Sequence, residues 1–388
     1  MIRGFSEAIY KNYDGTAYEI MNEALNKALS MAGLERKDID GFMTTFLPGV
    51  FDGNVYMHFF PDQLCNYLGI KPKYIDSLEY GGPSVLSAFW RAEHIIKSGM
   101  AENILLLFGG KGSAVRKKKQ TVDSIENLYP EIANTPYKPL LSGYNYTNPV
   151  SDYALLAQRH MKIYGTTDEQ RAALIVKQRE NANRSGYSMF TGSITVENVL
   201  GSPIISSPLH LLEIVYPVDG FHAFIVSKNA GKLREIRIKK YGEAHQSALP
   251  AEIDDITITP AAESSSGFRD EIKRCDFYEL YDSFSITVMI QLENTGIVPP
   301  GKSGEFLEKN SISVNGDFPL NTGGGSLNRG QPAYMSGSVL LYEALLQMNG
   351  MAGRNQVKNP DKAFINGMGG GEILILLCQK VILKGYLH

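Results

Sequence analysis

Few residues in this chain could carry chemistry. Tyr281 opens the run Tyr281-Asp282-Ser283-Phe284, which sets a phenol, a carboxylate and a hydroxyl side by side. A phenol donates a hydrogen bond and exchanges a proton when its pKa is depressed. Gln331, in Gly330-Gln331-Pro332, offers an amide able to donate to an oxyanion, but it is a poor acid or base. His222 follows Asp219-Gly220 at a turn into the apolar segment Ala223 to Ser227 and reads as a structural imidazole before a catalytic one. Nucleophiles are scarcer still. Cys65, Cys275 and Cys378 show neither CxxC spacing nor a histidine partner pattern, which speaks against a zinc site or a disulfide framework. Cys378 ends an apolar run and reads as a small core hydrophobe, Cys65 as helix packing. Ser84 stands at a predicted helix start, where N-capping is its expected duty, and a serine without a paired base is a weak nucleophile. Ser283 has the same limitation. The clusters Gly323-Gly324-Gly325 and Gly369-Gly370-Gly371 lack GxGxxG spacing with a ribose-binding acid about 20 residues on, so dinucleotide binding is rejected.

The elements that must position these residues follow from periodicity. A helical pattern from Ala17 to Ala32 closes on Gly33, and the strand-like Gly41 to Thr45 comes next. A strand at Tyr74 to Leu78 leads through Gly81-Gly82-Pro83 into an amphipathic helix from Ser84 to about Lys97, and Ile104 to Phe108 reads as a buried strand. The second half repeats this order: strand into helix over Leu280 to Glu293, a helix from Gly337 to about Met348, then strands at Ala363 to Ile365 and Ile373 to Cys378. The two long helices close alike, on Ser98-Gly99-Met100-Ala101 and Asn349-Gly350-Met351-Ala352, which supports an internal duplication of one α/β unit. Between the halves, from about residue 112 to 207, lie tyrosine- and proline-rich loops (Tyr137-Lys138-Pro139, Tyr144-Asn145-Tyr146), then helices from Asp152 to Tyr164 and, capped by Thr167, to about Asn183. Such an insertion reads as a cover over one face, a substrate or cofactor lid.

Bulk properties narrow the field. At 388 residues the chain has room for about two or three domain-sized units. With 38 basic and 41 acidic residues dispersed along it, no global field argues for nucleic acid. The one basic run, Arg116-Lys117-Lys118-Lys119, reads as a solvated loop, with a site for a phosphate-bearing ligand such as CoA as the functional alternative. No stretch approaches the roughly 20 apolar residues of a membrane span, and a reducing cytoplasm suits the cysteine usage.

Several stretches, in order, resemble the thiolase superfamily, and its sterol-carrier-protein and lipid-transfer branch more closely than the biosynthetic thiolases. They are Tyr153-Ala154-Leu155-Leu156-Ala157 through Tyr164-Gly165-Thr166-Thr167; Pro208-Leu209 and Asp219-Gly220; Glu279 to Phe284; Asn321-Thr322-Gly323-Gly324-Gly325; Gly330-Gln331-Pro332 with Ser336-Gly337; and Gly367-Met368-Gly369-Gly370-Gly371. The resemblance implies an α/β protein of two duplicated βαβαβαββ halves in a five-layered α-β-α-β-α fold. Residues 1–230 would form the first half, carrying the insertion, and 231–388 the second. It also implies a homodimer, an acyl-CoA ligand whose pantetheine arm reaches a site between the halves, and in some relatives a small zinc-ribbon and OB-fold partner. Gly324, Gly325, Gly369, Gly370 and Ser283 are the expected CoA contacts, glycine allowing close backbone approach.

In such proteins a cysteine at a helix N-terminus, its thiol pKa lowered by the helix, takes the acyl group, and a second cysteine moves the α-proton. Here Glu79-Tyr80-Gly81-Gly82-Pro83-Ser84 puts Gly82 at the nucleophile position, and Gly367-Met368-Gly369 puts Gly367 at the second cysteine. The Gly-His-Pro histidine becomes Gln331 and the His-Asp-Cys-Phe histidine becomes Tyr281. A covalent thiolase mechanism is therefore not expected. The leading expectation is carbon–carbon bond cleavage or formation on an acyl-CoA of retro-aldol type, with Tyr281 as acid/base and Gln331 and the amides near Gly369 clamping the enolate. Retro-aldol relatives share a tyrosine at the Tyr281 position but carry a second one near that of Gln331. The alternatives are a catalytically silent acyl-CoA-binding or scaffolding subunit, and an acetyl-CoA acetyltransferase by resemblance alone.

Overall fold

The computed structural model describes residues 1–47, 49–50, 59–114, 149–246, 253–333, 335–369 and 371–379. The basic run Arg116 to Lys119, the loops around Tyr137 and Tyr144, and Gly370 lie outside the described residues.

A capping box between Thr16 and Glu19 starts the first long helix, and Gly33, at φ 63°, ends it. This helix, α1 (Ala17–Ala32), follows β1 (Ile2–Tyr10) and precedes β2 (Gly41–Thr44), α2 (Phe60–Leu68), β3 (Tyr74–Ser77), α3 (Ser84–Ser98) and β4 (Asn103–Lys111). Two helices of the intervening segment, α4 (Val150–Tyr164) and α5 (Asp168–Ser185), lead to β5 (Pro217–Ser227). The first sheet runs β1-β5-β4-β2-β3, with β5 antiparallel to both neighbours and β4, β2 and β3 mutually parallel. Then come β6 (Ile236–His245), β7 (Phe277–Leu280), α6 (Ser285–Asn294), α7 (Ser336–Asn349), β8 (Lys362–Met368) and β9 (Gly371–Gln379). The second sheet runs β6-β9-β8-β7, with β9 antiparallel to both neighbours and β8 parallel to β7. A parallel bridge from Tyr278 to Leu320 occupies the place that β3 takes in the first sheet. The two halves thus share one strand order, as the repeated grammar of the sequence predicts.

Alternation along the strands explains the layering. Ile104, Leu106 and Phe108 of β4 and Ile373, Ile375 and Leu377 of β9 point into one central core, together with Leu86 and Phe89 of α3 and Leu341 and Leu345 of α7. Leu105 and Leu107 face the opposite way, onto Ile20, Met21 and Leu25 of α1. Phe364 and Leu374 likewise turn outward onto Ile286, Met289 and Ile290 of α6. Helices α3 and α7 therefore form the middle of five layers, each sheet buried on both faces.

The N-termini of α3 and α7 meet. A Cβ on Gly337 would collide with the Gly82 carbonyl, so glycine at 337 sets how closely the helices approach. Ser84 is not the cap the sequence suggests, because Pro83 takes that position and Ser84 is the first helical residue. Its Oγ accepts from the Tyr80 amide at 2.9 Å and donates to the Gly81 carbonyl at 2.8 Å, which fixes the turn carrying Gly82. Ser84→Ala is expected to lower stability by about 1 kcal/mol in chemical denaturation, since it takes the side-chain acceptor from the part-buried Tyr80 amide while the Gly81 carbonyl keeps the residue 84 amide.

Candidate active site

The positions expected to hold two thiols face each other across Pro83 and have no room for side chains. A Cβ on Gly82 would stand 2.5 Å from Cε2 of Tyr281 and 2.6 Å from the Met368 carbonyl oxygen. One on Gly367 would stand 2.8 Å from Cα and 2.9 Å from Cβ of Pro83. The Tyr281 ring fills the volume a nucleophilic side chain at position 82 would need.

Tyr281 is held by its backbone. Its amide donates to the Asn366 carbonyl and to Oε1 of Gln291, each at 3.0 Å, and its carbonyl accepts from Thr287 Oγ1 at 2.8 Å and Gln291 Nε2 at 2.6 Å. The phenol is buried, and hydrogen bonding from the Ser283, Tyr153 and Ser336 hydroxyls acts against the effect of that burial. Burial dominates and pushes the phenol up to about 12, the hydroxyl donors offsetting part of the rise. At neutral pH Tyr281 is therefore a protonated donor, not the depressed phenol that facile proton exchange would need.

Gln331 joins this cluster in an orientation that its sequence motif does not reveal. Residues Gln331–Pro332 pair in parallel with Pro217 and Val218, bringing this turn of the second half onto the first sheet. Nε2 of Gln331 donates to the Ala333 carbonyl at 2.9 Å, while Oε1 accepts from Ser283 Oγ at 2.5 Å and from Ser336 Oγ. The two serine oxygens lie 2.9 Å apart. The amide thus turns its acceptor, not its donor, toward the hydroxyls around Tyr281. Ser283 belongs to this cluster.

The glycines expected along a CoA arm are closely packed by protein. A Cβ on Gly324 would lie 2.6 Å from Cβ of Ala182 in α5, and one on Gly325 would collide with the Asp282 carboxylate. Both have positive φ, 96° and 67°. Asp282 accepts from the amides of Ser326 at 2.8 Å and Leu327 at 3.2 Å and from Gln178 Nε2 at 2.8 Å, so it ties down the short helix Gly325–Arg329 that feeds Gln331. Burial raises its carboxyl to about 6. The Gly369 amide donates to the Gly371 carbonyl at 2.9 Å, which removes it as an enolate donor in this conformation.

Sequence reasoning missed a second buried polar system on the first sheet. Arg329 donates to Glu7 at 3.0 Å through Nε and to Glu343 at 3.3 Å, and its guanidinium lies over the rings of Tyr187 and Tyr342. The Tyr187 hydroxyl donates to Glu343 at 2.8 Å. His222 sits here, away from the Tyr281 cluster, with Nδ1 2.9 Å from Ser338 Oγ and Nε2 3.4 Å from Glu7. Burial alone would raise the Glu7 carboxyl, but Arg329 and His222 hold it down to about 2, whereas burial lowers His222. The imidazole is fully enclosed. Cys65 is buried in α2, with its thiol raised to about 12 by desolvation, while Cys378 is half-buried at a strand end instead of in the core. Among the described residues no group of three or more His, Cys, Asp or Glu side chains could hold a metal ion, and no helix is long and apolar enough to cross a membrane.

Residues 242–374 match the family described as thiolase C-terminal domain-like. The chain is 27% identical over 368 residues to the acetyl-CoA acetyltransferase of Methanothermobacter thermautotrophicus, covering 92% of each chain. This chain belongs to the thiolase superfamily. Its relatives point to the sterol-carrier-protein branch of that superfamily: it is 26% identical over 321 residues to sterol carrier protein 2 of Oryctolagus cuniculus, covering 76% of this chain and 56% of that one, and 26% identical over 364 residues to the steroid side-chain-cleaving aldolase of Thermomonospora curvata, covering 88% of this chain and 87% of that one. The solved structure of an Ltp2-ChsH2(DUF35) aldolase superposes with a TM-score of 0.81 at 23% identity, over 99% of this chain and 98% of that chain, which establishes the shared fold.

Proposed function

We propose that this thiolase-fold protein makes or breaks a carbon–carbon bond of an acyl-CoA by a retro-aldol route, without an acyl-enzyme. The observation that carries the reading is the Tyr281 ring lodged in the space at Gly82: the phenol has replaced the thiol. A relative named as an aldolase supports it. In the cleavage direction the small fraction of Tyr281 present as phenolate takes the β-hydroxyl proton. The O–H pair becomes the second bond of a carbonyl, the Cα–Cβ pair moves into the thioester as an enolate, and the phenol returns its proton to Cα. The positive end of α3, at Gly82, faces the developing enolate charge. A CoA thioester is the ligand this scheme requires, with Gly324, Gly325, Gly369 and Gly370 proposed along its arm. A homodimer and a small zinc-ribbon and OB-fold partner belong to the same proposal, the latter supported by the DUF35 component named for the similar aldolase structure.

The closed hydroxyl cluster favours one other reading, a silent acyl-CoA-binding subunit, because Gln331 and both serines are already partnered. Incubating the protein, with any co-purifying small partner, with short β-hydroxyacyl-CoAs separates the two. Aldehyde or ketone release supports cleavage, CoA binding without turnover supports the silent subunit, and acetyl-CoA formed from acetoacetyl-CoA and CoA would overturn the loss of thiolysis. Burial pushes the phenol up to about 12, so the phenolate fraction grows with pH throughout the working range. The kcat/KM for cleavage is expected to rise about tenfold per pH unit from neutrality with no plateau below about pH 10; a bell centred near pH 7 would exclude Tyr281 as the base.

A further inference from the structure

We infer that Glu279 is kept as a neutral carboxylic acid at neutral pH, the donor end of a buried chain that runs through the Thr322 hydroxyl to the Glu343 carboxylate. The inference is independent of the chemistry proposed at Tyr281. Glu279 shares the inward face of β7 with Phe277, pairs with Ile365 of β8 and is fully buried. Its Oε1 accepts from the Thr322 amide at 3.0 Å and stands 2.8 Å from Thr322 Oγ1, which in turn lies 3.0 Å from Oε1 of Glu343. Nε2 of Gln347 points at that same Oγ1 from 3.0 Å and at Oε1 of Glu343 from 3.1 Å. Among the described residues no donor reaches Oε2 of Glu279.

Counting protons gives the chain its direction. Thr322 has one hydroxyl proton and two carboxyl oxygens beside it, so with both carboxyls ionised one of these short contacts would set lone pairs against lone pairs. A proton on Oε1 of Glu279 removes the conflict. The acid donates to Oγ1, Oγ1 also accepts from Gln347, and its own proton goes to Glu343. Glu343 is the member equipped to carry the negative charge: it receives the Tyr187 hydroxyl at 2.8 Å and the Arg329 guanidinium at 3.3 Å. Glu279 meets only Thr322. An ionised carboxylate there would leave a charged, buried oxygen unpaired at Oε2, whereas the carbonyl oxygen of an acid costs far less in that place.

The surrounding charges agree. Burial is the largest influence raising the Glu279 carboxyl, followed by the negative charge of Glu343 on α7, with Asp282 after β7 adding to it. Arg329 is already shared between Glu343 and Glu7 of β1, and His222 of β5 and Tyr187 beyond them are neutral, the first lowered by burial and the second raised by it. Ionised Glu279 would make three carboxylates around one guanidinium. The proton therefore steadies the junction where α7, the Thr322 turn and β1 meet, just before Gln331. A glutamate in the unfolded chain releases its proton near 4.5, and the folded chain retains it, so the stabilisation is complete below that pH and is lost as pH rises toward the folded value.

The test is Glu279→Gln, whose amide is an uncharged donor at every pH. In urea titrations from about pH 5.5 to 8, the folding equilibrium constant of the native protein is expected to fall about tenfold per pH unit relative to that of the variant, the linkage of one proton. Infrared spectroscopy reads the same proton without a variant. The carbonyl stretch of a protonated carboxyl group, assigned by ¹³C-glutamate labelling, is expected at pH 8, where Glu372, pushed up to about 7 by burial, is largely ionised. That band should vanish in Glu279→Gln. Parallel stability profiles, a native spectrum without the band, or a band that survives in the variant would each overturn the inference, and neither readout requires turnover.

Discussion

Tyr281→Phe is expected to leave the fold intact and reduce carbon–carbon bond cleavage by about 10³-fold, the scale of a lost general acid–base group. The ring contributes packing against Gly82 and Met368, and Phe supplies the same ring. The backbone bonds to Asn366, Gln291 and Thr287 do not involve the side chain. Only the hydroxyl is lost, together with its hydrogen bonding. Ser283 and Ser336 keep Gln331 and each other as partners, so the stability cost should stay near 1 kcal/mol, about the worth of one hydrogen bond. Carbonyl release assayed beside a thermal melt checks both halves of the expectation. Unaltered turnover in Tyr281→Phe would remove the phenol from the chemistry and leave the ring as a plug.

This division between ring and hydroxyl marks what the sequence could show. The caps at Gly33 and Thr167, the buried strand at Ile104 to Phe108 and the repeated strand–helix order all depend on neighbours a few residues apart, and each appears in the structure. Gly82, Gly367 and Tyr281 were legible because ordered motifs align them with positions of known use, and the structure brings all three to the junction of α3 with β8 and the turn after β7. The direction of Gln331 was not legible. It depends on the Ala333 carbonyl two residues on, in a backbone at φ 49° that no propensity assigns to alanine. Tyr153 entered as part of a helix and of a resemblance motif, while its stacking on Phe284 depends on a partner more than a hundred residues away. Nor does any local pattern pair Glu7 with Arg329 or His222 with Ser338; burial in one interior selects those partners. Periodicity records which face of an element is buried, not which buried polar group will meet which.

Gly82→Cys is the substitution a family alignment invites, and it is expected to fail twice. Its Cβ would meet the Tyr281 ring at 2.5 Å and the Met368 carbonyl at 2.6 Å, and the second contact is with backbone that cannot rotate away. Overpacking of this kind costs about 3 kcal/mol or more, read as a lower denaturation midpoint. Thiolysis should not return, because the ring stands where the thiol must meet an acyl group and position 367 still has no proton-transferring side chain. Gly82→Cys combined with Tyr281→Ala should recover part of the lost stability, by about 1–2 kcal/mol of favourable coupling, since one of the two clashes disappears while the Met368 carbonyl stays. Strict additivity of the two changes would mean that ring and thiol do not compete for one volume. Coupling of that sign would instead make the missing cysteine and the tyrosine a single structural exchange: a side chain at 82 and the ring of 281 exclude each other, so the chain that gained the phenol could not have kept the nucleophile.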